Sequence, residues 1–184
     1  DKIIKGDSLY FESESDYASA SKNVSIIDSL NNSIITGHYG EIFKAKDSAI
    51  ITRRAMAINI VDQDSLFIHA DTLVATGPKD KRILRGYYDV RILKSDIRGR
   101  SDSLYLDQSI GLTKLLSRPL TNQQEQIFTE ADRNGANPVL WFGESQMSGD
   151  KIFLLSDLDT RKLDSLKITG NIFIIEKDTL SEDG

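Results

Sequence analysis

Along the chain, short stretches rich in Ile, Val, Phe, Tyr and Leu alternate with polar positions and are separated by Asp, Asn, Gly, Ser and Lys. This is the period-2 pattern of strands joined by turns. Strands are expected over residues 8–13, 24–27, 33–36, 41–45, 49–52, 57–61, 66–70, 83–84, 89–94 and 104–106, and again over 112–115, 139–142, 151–155, 166–169 and 172–176. Helical periodicity is nearly absent. The stretch with good helix formers, TNQQEQIFTEA at 121–131, is polar and framed by Pro119 and the NGANP at 134–138, so it reads as an excursion between strands, about 120–137.

The tripeptide Asp-Ser-Leu, with Thr allowed for Ser, begins at Asp7, Asp28, Asp64, Asp71, Asp102, Asp164 and Asp178. An Asp side chain caps its own backbone two residues on, and Leu then begins an alternating strand, so the tripeptide predicts a turn-to-strand boundary. In the same register Leu66, Ile68 and Ala70 share one face, with Phe67 and His69 on the other. Leu9 pairs with Phe11 in this way, Leu104 with Leu106, and Ile152 with Leu154. A second unit places Gly before alternating apolar residues: ITGHYGEIF from 35, LRGYYDVRI from 84 and ITGNIFII from 168. The spacings from Asp7, Asp64 and Asp150 to Gly37, Gly86 and Gly170 are 30, 22 and 20 residues, an irregular repeat of a common strand plan.

A length of 184 residues suits one β domain or an elongated stack of short units. The net charge of −5 argues against a nucleic-acid surface, which needs clustered cations. Local basic clusters at Arg53-Arg54, 79–85 and 91–100 read as a solvated strand face or loop, or as a contact for an anionic partner such as a lipid phosphate. The absence of cysteine rules out disulfides and thiolate chemistry. No apolar run approaches the ~20 residues of a membrane-spanning helix. The N-terminus lacks the basic and apolar regions of a signal peptide, as a processed chain would.

Gly6-Asp7-Ser8-Leu9 carries the letters of the GDSL esterases, in which the Ser is a nucleophile. Those enzymes place their His near the C-terminus, just after its Asp. Here the histidines are His38 and His69, with Ile35 and Leu66 three positions before them, and the expected alternation of strands and helices is missing. His38 and His69 with Asp62, Asp64 and Asp71 form a weak metal-site hypothesis, since isolated histidines on strands read as exposed polar positions. DRNGAN at 132–137 has its Gly too early for a calcium loop and reads as a turn. No phosphate-binding Gly-rich motif occurs, and no cofactor is expected.

DSLFIHADTL resembles the repeated strand of the OstA-like or LptA family of lipopolysaccharide-transport proteins, and LKITGNIFII its companion strand. The segment 137–180 is most similar to the OstA-like proteins of Bacteroidetes, and the resemblance extends over about 6–180. The excursion at 120–137 departs from the compact family plan, as does Lys44-Ala45-Lys46-Asp47.

The resemblance implies an all-β fold: an incomplete β-roll (OstA-like β-jellyroll) of stacked antiparallel strands with an open apolar groove, formed by residues 1–184 as a single domain. It implies non-catalytic binding of the acyl chains of lipid A, and transport of lipopolysaccharide across the periplasm to the outer membrane along a β-roll bridge. Other β-roll transport proteins, or further copies of this chain joined head to tail, are the implied partners. Carried onto this sequence, the lipid-facing positions are Leu66, Ile68, Ala70, Tyr88, Val90, Ile92, Leu104, Leu106, Ile152, Leu154, Ile172 and Ile174. Each would be plain sheet core in any β-sandwich, as would Trp141. The rival reading is a structural β-roll scaffold that binds no lipid. An open trough would separate transport from a scaffold filled with side chains.

Overall fold

The computed structural model describes residues 2–29, 32–60, 65–78, 81–117 and 137–176. These form fourteen strands in one antiparallel sheet: β1 (Lys2–Lys5), β2 (Ser8–Glu12), β3 (Tyr17–Asp28), β4 (Ser33–Phe43), β5 (Ser48–Asn59), β6 (Leu66–Thr76), β7 (Ile83–Lys94), β8 (Ile97–Asp107), β9 (Leu112–Leu116), β10 (Val139–Phe142), β11 (Ser145–Ser148), β12 (Lys151–Ser156), β13 (Leu163–Thr169) and β14 (Phe173–Ile175). Residues 44–46 make a 3₁₀ turn, and Asp47 after it is left-handed at φ 43°. The strand expected over 41–45 therefore ends at Phe43.

Several segments that the alternation pattern separates are two arms of one strand. Residues 33–36 and 41–43 belong to β4, 49–52 and 57–59 to β5, and 83–84 and 89–94 to β7. The arms join at a line of register shifts that runs from strand to strand, between Ser21/Val24, Thr36/Tyr39, Thr52/Ala55, His69/Thr72 and Tyr87/Val90. On β3, β5 and β7 the line is crossed by consecutive left-handed residues, Lys22-Asn23, Arg53-Arg54 and Tyr88-Asp89. Arg and Tyr adopt that conformation only when surrounding structure enforces it.

The intervening strands cross the same line differently. Their burial alternates through Ile68 and Ala70, then restarts one position late at Leu73 and Ala75 on β6. On β8 it passes from Gly99 and Ser101 to Leu104 and Leu106. Each such crossing has a small inward residue, then a corner residue: Gly6-Asp7, Gly37-His38, Ala70-Asp71, Ser101-Asp102 and Gly149-Asp150. A Cβ at Gly37 would overlap Ile51 Cγ2, and one at Gly149 would overlap Ile168 Cγ2, so the crease has no room for larger side chains.

This corrects the turn-to-strand reading of the tripeptide at every described copy but Asp7, where a bend does lead into β2. Asp71 and Asp102 sit inside continuous strands, Asp7 lies between β1 and β2, Asp28 ends β3, and Asp164 is within β13. Asp64 and Asp178 lie outside the described residues. Turns in which an Asp caps its own backbone do occur, but at Asp107, which accepts from Ser109 N at 3.0 Å, and at Asp157, which accepts from Thr160 N at 2.7 Å. The repeat is also more regular than the Asp-to-Gly spacings suggest. Its small residues stand at 6, 37, 70, 101 and 149, the first four 31–33 residues apart. The longer last interval contains the excursion, most of which lies outside the described residues.

The corner line divides the sheet into two walls of ten arms. The first wall runs β2, then arms of β3 to β8, then β9, β12 and β13. The second runs β1, the other arms of β3 to β8, then β10, β11 and β14. Both β9 and β10 pair with β8, one on each wall, so together they stand where the other strands have two arms. Ser117 Oγ, just after β9, lies 3.2 Å from Asn137 Oδ1, just before β10, and 3.0 Å from the Asp150 carbonyl. At the two ends of the sheet the corner is closed alike. Asn23 Nδ2 donates to Asp7 Oδ1 at 3.1 Å, and Asn171 Nδ2 to Asp150 Oδ1 at 3.0 Å.

Candidate functional site

The inward faces of the two walls share one core, packed at the crease by Ala55, Ala70, Val90, Leu115, Leu140 and Ile152, all fully buried. Toward the hairpin tips the walls part. A cavity of about 120 Å³ opens there, lined by Leu66, Ile68, Ile92 and Ile97 of the second wall and by Leu106, Thr113 and Leu154 of the first. A second cavity of about 50 Å³ continues it past Ile35, Ala57, Ala75 and Leu84, and the two share Asn59, Leu66, Ile68, Leu106 and Gln108. Together they form an apolar trough with polar lips: Asn59, Gln108, Arg82, Lys94, Thr160 and Arg161.

Two features shape the mouth. Lys94 Nζ donates to the Arg161 carbonyl at 2.6 Å, bridging a hairpin of one wall to a hairpin of the other. Asp157 Oδ1 accepts from Thr160 N and from Thr160 Oγ1 at 2.8 Å, which folds the 157–162 turn over the cavity. These bonds, the Thr160 backbone N–H first, hold the Asp157 carboxyl below the usual carboxylate range. The Arg82 Nε is buried at the second cavity and has no hydrogen-bond partner within the structure. It is an N–H donor available to an anionic or carbonyl group in the trough.

Of the twelve lipid-facing positions expected from sequence, Leu66, Ile68, Ile92, Leu106 and Leu154 line the trough. Ala70, Val90, Leu104 and Ile152 face inward but are buried in the crease. Tyr88 belongs by alternation to the inward row of Gly86 and Val90, yet it occupies the left-handed corner at φ 62° and is 53% exposed. Ile174 pairs with Met147, and Met147 with the buried Leu140, so it faces inward on the last strand. Among the described residues no further strand lies beside it; it is 52% exposed, and Ile172 is 55% exposed. Leu9 and Phe11 mirror them at the opposite end, paired with Ala20 and Ala18 and exposed. The inward faces are thus uncovered at both ends of the sheet.

The liners that the sequence reading missed are Ile35, Ala57, Ala75, Leu84, Ile97 and Thr113, together with the polar lip. Alternation along the arms of β4 to β9 carries the apolar ones; the lip comes from hairpin tips, which periodicity does not address. His69 faces outward, between Met56 and Arg91. Gly6 and Asp7 form the corner after β1, and Ser8 and Leu9 begin β2, without the strand-to-helix elbow of a nucleophilic serine. Among the described residues no three His, Asp or Glu side chains gather as a metal site.

Two stacked antiparallel walls, joined by a crease and open along the opposite side, have a counterpart among solved structures. LptH, the LptA-homologous periplasmic component of the lipopolysaccharide transport device of Pseudomonas aeruginosa, matches with a TM-score of 0.52 over 58% of this chain and 76% of that one. The chain has the LptA-like β-jellyroll fold. Identity to LptH is 11%, so what is shared is the LptA-like backbone plan. No family model and no curated protein matches the sequence.

Proposed function

We propose that the trough binds the acyl chains of lipopolysaccharide, and that the chain carries this lipid across the periplasm as one unit of a β-roll bridge, without catalysis. The carrying observation is the position of Leu66, Ile68, Ile92, Leu106 and Leu154 around a cavity between the walls. An apolar cleft with a few polar groups at its lip suits an amphiphile with acyl chains and a polar head. The neighbour LptH is a periplasmic component of lipopolysaccharide transport, which supports both ligand and compartment. Among the described residues the edges at β1 and β2 and at β13 and β14 have no partner strand, and with Leu9, Phe11, Ile172 and Ile174 exposed beside them they suit head-to-tail strand addition by another β-roll or a second copy. Residues 1–184 act in this reading as a single unit. Its lining candidates are Leu66, Ile68, Ile92, Leu106 and Leu154, with Ile172 and Ile174 at the exit.

The scaffold reading draws on the crease, where Ala70, Val90, Leu104 and Ile152 leave no space. Photocrosslinking separates the two. A photoreactive residue placed at Ile68, Ile92 or Ile174 is expected to capture lipopolysaccharide, and one at outward-facing His69 to capture none. Equal or absent capture at all four positions would leave the scaffold.

A further inference from the structure

The outer face of the second wall is unlike the rest of the surface. Across its strands the paired positions Ile3, Ile27, Ile34, Ile58, Phe67 and Leu93 form one apolar row, which continues through Arg98 to Trp141 and ends at Ile175. Strands lie about 4.8 Å apart, so the row spans about 40 Å. Phe67, Leu93 and Trp141 are 38%, 46% and 38% exposed, and contiguous exposed apolar side chains of this kind mark interaction surfaces. The next row carries Lys5, Arg91 and Arg100. The two rows hold four cations and no carboxylate, in a chain of net charge −5. Arg91 is paired with Asp89 at the corner, an exposed contact at 3.0 Å; Arg98 and Arg100 make no ion pair among the described residues.

We propose that this face docks on an anionic lipid membrane surface, with Phe67, Leu93 and Trp141 entering the headgroup region and Arg91, Arg98 and Arg100 meeting lipid phosphates. Aromatic and aliphatic side chains beside cations are the chemistry of interfacial binding, in which each Lys or Arg near an anionic surface adds to the partition. Sheet twist of about 20–25° per strand lets only a few neighbouring strands touch a plane at once. Cations and large apolar groups coincide on β6, β7, β8 and β10, which places the contact there. A second copy would oppose this face with its own cations, which repel. A protein partner anchors its main contacts in pockets, and both cavities described above lie inside the trough. The proposal is independent of what the trough carries.

Trp141 is the sole tryptophan, so its emission reports on this face alone. The 184-residue chain is mixed with phosphatidylcholine vesicles, and with vesicles in which a quarter of the lipid is phosphatidylglycerol; neither contains lipopolysaccharide. Co-sedimentation with a blue shift of Trp141 is expected only with the anionic vesicles, and added salt should weaken it. Arg98→Ala with Arg100→Ala should reduce the partition about 30-fold, while Lys114→Ala with Lys151→Ala, on the first wall, should leave it unchanged. Circular dichroism checks that each variant folds, and the salt series on the unmodified chain stands if one does not. The proposal is overturned by no binding, by binding without a Trp141 shift, or by equal loss in both double variants. A shift that rises with protein concentration without vesicles would assign the face to a second copy. Binding to polyglutamate as tight as to vesicles would assign it to an acidic protein.

Discussion

Leu140 and Leu66 both belong to the inward face of the second wall, one beside the crease and one at a hairpin tip. Leu140 is fully buried, while Leu66 borders both cavities. The same two-residue alternation sets both orientations, so alternation alone cannot tell a core position from a binding position. Distance from the corner line decides. Near it, walls that share strands are held close and only Gly, Ala, Ser and closely packed Val, Leu and Ile fit. Toward the tips the walls diverge and equally apolar residues face open space.

The largest effect should follow from emptying the crease. Leu140→Ala removes a fully buried side chain from a site enclosed by both walls, and should destabilise the fold by about 3–5 kcal/mol. Denaturant unfolding would measure this. A loss below about 1 kcal/mol would mean the crease collapses freely and the contrast with the mouth is false.

Filling the crease should cost somewhat less. Gly37→Val places its Cβ against Ile51 Cγ2 and near the Thr52 carbonyl, for about 1–3 kcal/mol of overpacking. The same substitution at Gly143, which has open space around its Cβ position, removes the packing component and leaves only the strain of its left-handed φ of 58°. Comparing thermal unfolding of the two variants separates crowding from backbone strain.

At the mouth the balance should reverse. Leu66→Asn alters a half-buried side chain, so stability should fall by only about 1 kcal/mol, whereas affinity for lipopolysaccharide should fall about tenfold as apolar contact is lost. Leu140→Ala, where it stays folded, should leave that affinity nearly unchanged. Lipid binding measured on both folded variants sharpens the division between core and trough.

Much of this division was legible in the residues, though not all of it. The strand class, and the shared faces of Leu66 with Ile68, Leu104 with Leu106 and Ile152 with Leu154, follow from alternation, whereas which face turns inward came with the family resemblance. Tyr88 was misplaced because two left-handed residues turn the chain while preserving the parity of Gly86 and Val90 on either side. The second arm of β6 and the first of β8 were missed for the complementary reason: a single corner residue, Asp71 or Asp102, shifts the phase and ends the pattern being followed. The widening of the trough depends on wall-to-wall geometry across long sequence separations, and the Lys94 to Arg161 bridge joins tips 67 residues apart. No local pattern encodes either.

The smallest effect concerns the turn that shapes the mouth. Asp157 has a depressed pKa because Thr160 donates to it from both backbone and side chain. A carboxyl whose folded pKa lies below its unfolded one stabilises structure fully above the unfolded value, about 3.9. That stabilisation is lost as pH falls through the folded value. The exposed setting of this turn keeps the effect local. The Thr160 amide should therefore be protected near neutral pH and lose that protection as pH falls through the folded pKa, an excess over the falling intrinsic exchange rate that other exposed turns follow. Asp157→Asn should flatten that excess, since an amide does not titrate here, and should loosen Arg161 beneath Lys94 at neutral pH. If exchange at Thr160 in the Asn variant followed the same pH course as in the unmodified chain, the Asp157 carboxylate would not be what holds the lip of the trough.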